Sequence, residues 1–211
     1  DPVYLADQPK RPLRIPVWLE REEQAQLEST IKDRRNIPIN IFGDNKTKMT
    51  ETRRRYEMLF GLLLNSGLRI SEALGLKTAD VRILDGLAKS VRVIGKGDKE
   101  RLVPLPARFG EVFGFWLKDR PKGEYVFARA VGQKAVSRQS AGAYLRGMLK
   151  KAGIDKKISP HKLRHTYATN LLNAGAELVD IKALLGHESI ATTQIYTNVG
   201  QERMEKVVGR L

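Results

Sequence analysis

Two of the chain's three histidines fall in one octapeptide, SPHKLRHT at 159–166, with Arg164 between His161 and His165. Imidazole and guanidinium groups at this density can hold an anion, ligate a metal or sit satisfied in a core. Ser159 and Pro160 make a helix start, the serine as N-cap and the proline at the first helical position. His161, Arg164 and His165 then stand at i, i+3 and i+4 on one face, while Leu163, Tyr167 and Leu171 fall on another that can pack inward. The first turn of a helix presents free N–H groups and the positive end of the dipole, which favours an anion. Arg164 adds a planar fork suited to two phosphate oxygens. A His-x-x-x-His pair can also bind zinc, but no Glu follows the first histidine, no carboxylate third ligand is near, and the arginine repels a cation. A structural histidine pair beside an exposed arginine fits equally well, so the octapeptide alone does not decide.

Four other features bear on it. In SGLRISE, at 66–72, Arg69 follows a helix break and Glu72 stands one turn on, where it can orient the guanidinium. In IGKGDKE, Lys96 sits between two glycines on a turn from which it can reach a ligand. That turn is no Walker A loop, since GxxxxGK[ST] is missing from the chain. LLGHES, at 184–189, puts His187 just past a helix end at Gly186, and Tyr196 follows in TTQIYTNV. Each has an ordinary structural reading: an ion pair at a helix start, a charged turn, a half-buried aromatic.

The elements that must position these groups read as mostly α with one small antiparallel sheet, an α+β chain. DPVYLADQPKRPLRIPVW carries four prolines and no helical period, and is expected to be an extended arm. LEREEQAQLESTIK has the acidic first turn of a helix, and NIPINIFGDNKTKMT reads as a polar loop. Glu51–Asn65 is expected to be a largely buried helix ended by Ser66-Gly67, with a short helix, RISEALGL, after it. SVRVIGKGDKERLVPLP gives two strands around a tight turn. Helices are expected at 107–119, 137–152, 160–173, 177–185, 190–197 and 201–209.

Composition narrows the partners. Against 24 acidic residues the 211-residue chain carries 38 Lys and Arg, a net charge of +14. Seven of these lie between Gly132 and Lys157 against the single acid Asp155. A surface this basic attracts polyanions, nucleic acid above all. With no cysteine there is no disulfide, thiolate nucleophile or cysteine-bound zinc. No apolar run approaches the roughly 20 residues of a membrane span, and no signal peptide is evident. The expectation is a cytosolic protein without a membrane partner.

Taken together, LNSGLRISEALGL, VIGKGDKERLVPLP, HKLRHTYATNLLNAG and IKALLGHESIATTQIYTNV resemble the tyrosine recombinase (phage integrase) family, its Xer and integron branches most closely. The resemblance runs over roughly residues 17 to 205. It implies a tyrosine recombinase catalytic domain at 18–198, an interdomain linker or arm at 1–17 and a docking helix or tail at 199–211. It also implies an amino-terminal core-binding domain that this chain does not include. The implied catalytic residues are Arg69, Lys96, His161, Arg164, His187 and Tyr196, with Glu72 and His165 in support. The implied activity is site-specific DNA recombination through a 3′-phosphotyrosyl intermediate, without metal, ATP or other cofactor, in the prokaryotic cytosol or nucleoid. The implied partners are double-stranded DNA and further copies of the chain, a tetramer on two DNA sites. Two rival functions keep the same residues: a type IB topoisomerase that relaxes supercoils, and a DNA-binding module without catalysis.

Overall fold

A computed structural model describes residues 18–32, 45–95, 100–120, 123–130, 132–186 and 208–209. Its helices are α1 (Arg21–Lys32), α2 (Asn45–Ser66), α3 (Ile70–Gly75), α4 (Ala107–Asp119), α5 (Arg138–Lys151), α6 (Pro160–Asn173) and α7 (Leu178–Leu185). One sheet of β1 (Val81–Leu84), β2 (Leu87–Ile94) and β3 (Glu100–Pro104) lies between α3 and α4 in the chain, in the order β1-β2-β3 with both pairings antiparallel. The α+β class expected of the sequence is the class observed.

Helix α2 runs through the middle of the molecule because its second half is apolar nearly all round. Leu59, Phe60, Leu62, Leu63 and Leu64 are all buried, as a helix surrounded by others requires. It starts at Asn45, so residues 45–50, read above as loop, are helical. The stretch is polar, but it contains no Gly or Pro after Gly43, and polarity alone does not break a helix. The other end falls where the sequence puts it: Gly67 takes a left-handed φ of 62°, which stops the helix at little steric cost.

The sheet has one strand more than the sequence reading gave it. Asp85 and Gly86 both take positive φ, 51° and 79°, the two-residue turn that matches strand twist and joins β1 to β2. Helix α4 lies close on β2 because two of its residues lack side chains. A Cβ at Gly110 would strike the Ala88 carbonyl, and one at Gly114 the Gly86 carbonyl. Phe113, Trp116 and Phe127 stack beneath, with ring centroids 5.6–6.5 Å apart.

Two apolar clusters result. The larger joins α1–α5 and the sheet and takes in Leu163 of α6. The smaller gathers Tyr167 and Leu171 of α6, Ile181, Leu184 and Leu185 of α7, and Val208. Of the tail expected at 199–211 only Val208 and Gly209 are described, and Val208 packs on its own chain. Among the described residues no helix is long and apolar enough to cross a membrane.

Candidate active site

Three segments distant in sequence bring guanidinium groups to one carboxylate. Arg69, the residue before α3, donates both its backbone N–H and its Nη1 to Glu72, at 2.8 and 2.9 Å. The geometry follows from the sequence spacing: an acid at the third helical position reaches back to the open N–H of the cap. Arg101, on β3, grips the same carboxylate with both Nη groups, at 3.2 and 2.9 Å. Arg164 of α6 brings its Nη1 to 4.0 Å from Glu72 Oε2. One buried acid thus stands against three cations. Burial pushes the Glu72 carboxyl up, but the bonds from Arg101 and Arg69 more than offset it and hold the group below the ordinary carboxylate value.

Arg164 does not share the exposure of the two histidines beside it, which rules out the reading of the octapeptide as a histidine pair with an exposed arginine. It is 3% exposed, and its fork donates to Gly67 O at 2.8 Å and to Leu185 O. Those carbonyls stand at the carboxy-terminal ends of α2 and α7, where helix carbonyls lack partners and the dipole is negative. The helix ends draw the cation inward and fix its plane. Burial, aided by Arg69 and Arg101, lowers the pKa of Arg164 to about 10, with Glu72 opposing, so the charge persists at neutral pH.

The two histidines of α6 do share an exposed flank, with rings edge to face and centroids 4.8 Å apart. Partial burial, then His161, Arg164 and Lys162, holds His165 below its ordinary value. At neutral pH it is therefore the neutral imidazole, able to donate from one nitrogen and accept at the other. Ser159 stands at the N-cap, but its hydroxyl makes no capping bond. The N–H groups of Lys162 and Leu163 both turn back to Ser159 O, and Pro160 has none to offer. Anion capture here falls to the side chains more than to the helix end.

The structure thus brings Arg69, Glu72 and Arg164 into one network and places His161 and His165 on the helix that carries Arg164. Lys96, His187 and Tyr196 lie outside the described residues. Arg101 was not singled out from sequence. The available signal was its place on the strand leading out of the Lys96 turn, an odd residue for charge in an otherwise apolar RLVPL.

Residues 41–203 match the family model described as the phage integrase family. The tyrosine recombinase XerD of Proteus mirabilis is 38% identical over 97% of this chain and 62% of its own length. Among solved structures, the XerA recombinase matches with a TM-score of 0.65 and 29% identity, over 94% of this chain and 65% of that one. The XerH site-specific recombinase, solved on its difH substrate as a pre-cleavage complex, matches with a TM-score of 0.66 and 25% identity, over 92% of this chain and 51% of that one. The chain spans less than two thirds of the length of these proteins. With a family match over most of its length and an arginine network built from the same motifs that resemble the family, the chain belongs to the phage integrase, or tyrosine recombinase, family.

Proposed function

We propose that this chain carries the catalytic machinery of a site-specific DNA recombinase that cuts and rejoins strands through a 3′-phosphotyrosyl intermediate, with no metal or ATP. The observation that carries the reading is the convergence of Arg69, Arg101 and Arg164 on Glu72, three guanidiniums against one carboxylate beside two exposed histidines. The excess positive charge suits a phosphate. The XerH relative is a site-specific recombinase solved bound to its difH substrate, and double-stranded DNA is the partner proposed here, bound by a tetramer on two sites in the prokaryotic cytosol.

The Tyr196 hydroxyl attacks the scissile phosphorus and the 5′-oxygen leaves, so one phosphodiester is exchanged for another and no external energy is required for rejoining. Charge grows on the non-bridging oxygens as the phosphorus gains its fifth ligand. Arg69, 41% exposed, is the guanidinium free to meet those oxygens, with Arg164 fixed behind it. Removing one such donor costs about 2.7–4 kcal/mol, or roughly a hundred- to a thousandfold in rate. A tyrosine hydroxyl ordinarily titrates near 10, so a base must take its proton. His161, exposed on α6, is assigned that role, His187 a hydrogen bond to a phosphate oxygen, and Lys96 the proton for the leaving 5′-oxygen.

A nicked suicide duplex, from which the cut fragment diffuses away, tests the reading. The parent protein forms a covalent adduct on it, and Tyr196→Phe binds the duplex without forming one. An adduct on the phenylalanine variant moves the nucleophile elsewhere; none on the parent leaves only a DNA-binding module. Replacing the 5′-bridging oxygen with sulfur, a better leaving group, restores cleavage by Lys96→Ala but not by Arg69→Ala. Relaxation of a supercoiled plasmid lacking recombination sites would favour the topoisomerase alternative.

A further inference from the structure

Arg101 has no step in the chemistry just described, yet it makes three side-chain hydrogen bonds within the site. Its side chain is 14% exposed and leaves β3 toward α3. Both Nη groups meet the Glu72 carboxylate, and Nε donates to Leu184 O at 3.2 Å. The guanidinium also lies flat against Gly186, where a Cβ would come within 3.1–3.2 Å of Nη1, Cζ and Nε. Gly186 has a φ of 64°, so both conformation and space there call for glycine.

These contacts join segments that otherwise meet little. Glu72 fixes Arg69 through two hydrogen bonds. Leu184 precedes Leu185, whose carbonyl holds Arg164, and Gly186 leads directly to His187. Arg101 itself stands five residues beyond Lys96 on the same hairpin. We infer that Arg101 is a positioning residue: it locks the hairpin, the Arg69–Glu72 start of α3 and the end of α7 into one register, and thereby aims Arg69 at the phosphate and steadies the Leu185 carbonyl that holds Arg164 behind it. Its fork is filled by Glu72 and its Nε by a carbonyl, so it acts through its neighbours and not on the phosphate. A lysine could keep the charge but not three bonds in one plane.

The inference rests on the proposed transesterification, and single-turnover adduct formation at saturating duplex separates the two. A parent protein without adduct defeats the function itself. Given a parent adduct, Arg101→Ala is expected to slow the rate constant by about a hundredfold, the scale of an ångström's misplacement. Arg101→Lys is expected to be impaired on the same scale, and the Kd for the duplex to stay within about threefold of the parent's. The 5′-bridging sulfur should restore neither variant, because the arginines rather than the leaving group are misaimed. Since a rate constant and not an amplitude is read, a fraction of unfolded protein does not enter, and where the alanine variant fails to fold the lysine variant decides. A folded variant cutting at the parent's rate, a loss confined to Kd, or full restoration by sulfur would each overturn the assignment.

Discussion

Glu72 is shared between two guanidiniums and lies within 4.0 Å of a third, so its ionisation is coupled to folding. Its folded pKa lies below the ordinary value of 4.5. The unfolded chain therefore binds the proton more readily, and the stabilisation is fully present above about pH 4.5 and lost as pH falls through the folded value. Glu72→Gln is expected to cost about 3 kcal/mol at neutral pH, the scale of breaking a buried ion pair. Urea titrations of parent and variant should converge as the pH drops below 4.5, and a constant gap would refute the linkage. Tyr167 offers an opposite case. Its hydroxyl is buried with no hydrogen-bond partner among the described residues, and burial pushes its pKa up. Tyr167→Phe removes an unsatisfied group and is expected to stabilise by about 1 kcal/mol, a rise in Tm of roughly 2–4 °C; a fall in Tm would show that the hydroxyl has a use. At this scale the motif positions were legible from spacing, Arg69 and Glu72 above all. The inward turn of Arg164 was not, because it depends on two helix ends, Gly67 and Leu185, that only the fold brings together.

The break between α2 and α3 does two jobs in the same residue. Gly67 turns the chain with positive φ, and its carbonyl accepts from Arg164. It also lies against the Tyr167 ring, and an added Cβ would strike that ring and come within 2.7 Å of Leu185. Gly67→Ala is therefore expected to destabilise by about 2–4 kcal/mol, from left-handed strain and overpacking together. It should also impair adduct formation in the fraction that folds, since the carbonyl holding Arg164 must shift. Denaturation midpoints and single-turnover rates check the two effects separately, and normal values for both would show the contact to be slack. The described helices and the β2–β3 pairing were readable from periodicity and turn chemistry. The helices expected at 190–197 and 201–209 lie outside the described residues, Val208 and Gly209 excepted. The strand β1 was also within reach, because Asp85-Gly86 between two apolar runs is a hairpin signal in its own right. What polarity concealed was the first six residues of α2.

Across the whole molecule, α6 is the splint between the two apolar clusters: Leu163 belongs to the larger, and Tyr167 and Leu171 to the smaller. Nothing in the sequence separates these, since all three are apolar residues at helical spacing and differ only in what the fold lays against them. Among the described residues the smaller cluster has fewer members than the larger and draws on short α7 and on Val208 from the far end of the chain, so these residues have less burial to resist opening. Its amides are expected to exchange hydrogen through a smaller opening than those of α2 and β2, and equal protection in α7 and α2 would contradict this. The site straddles that seam. When α7 lifts away, Arg101 loses the Leu184 carbonyl and Arg164 the Leu185 carbonyl, while the larger core stays folded around Trp116. With rising urea, catalysis should then fail before Trp116 fluorescence changes. The two cores confer unequal cooperativity, so the arginines lose their carbonyl anchors while the rest of the domain is still folded.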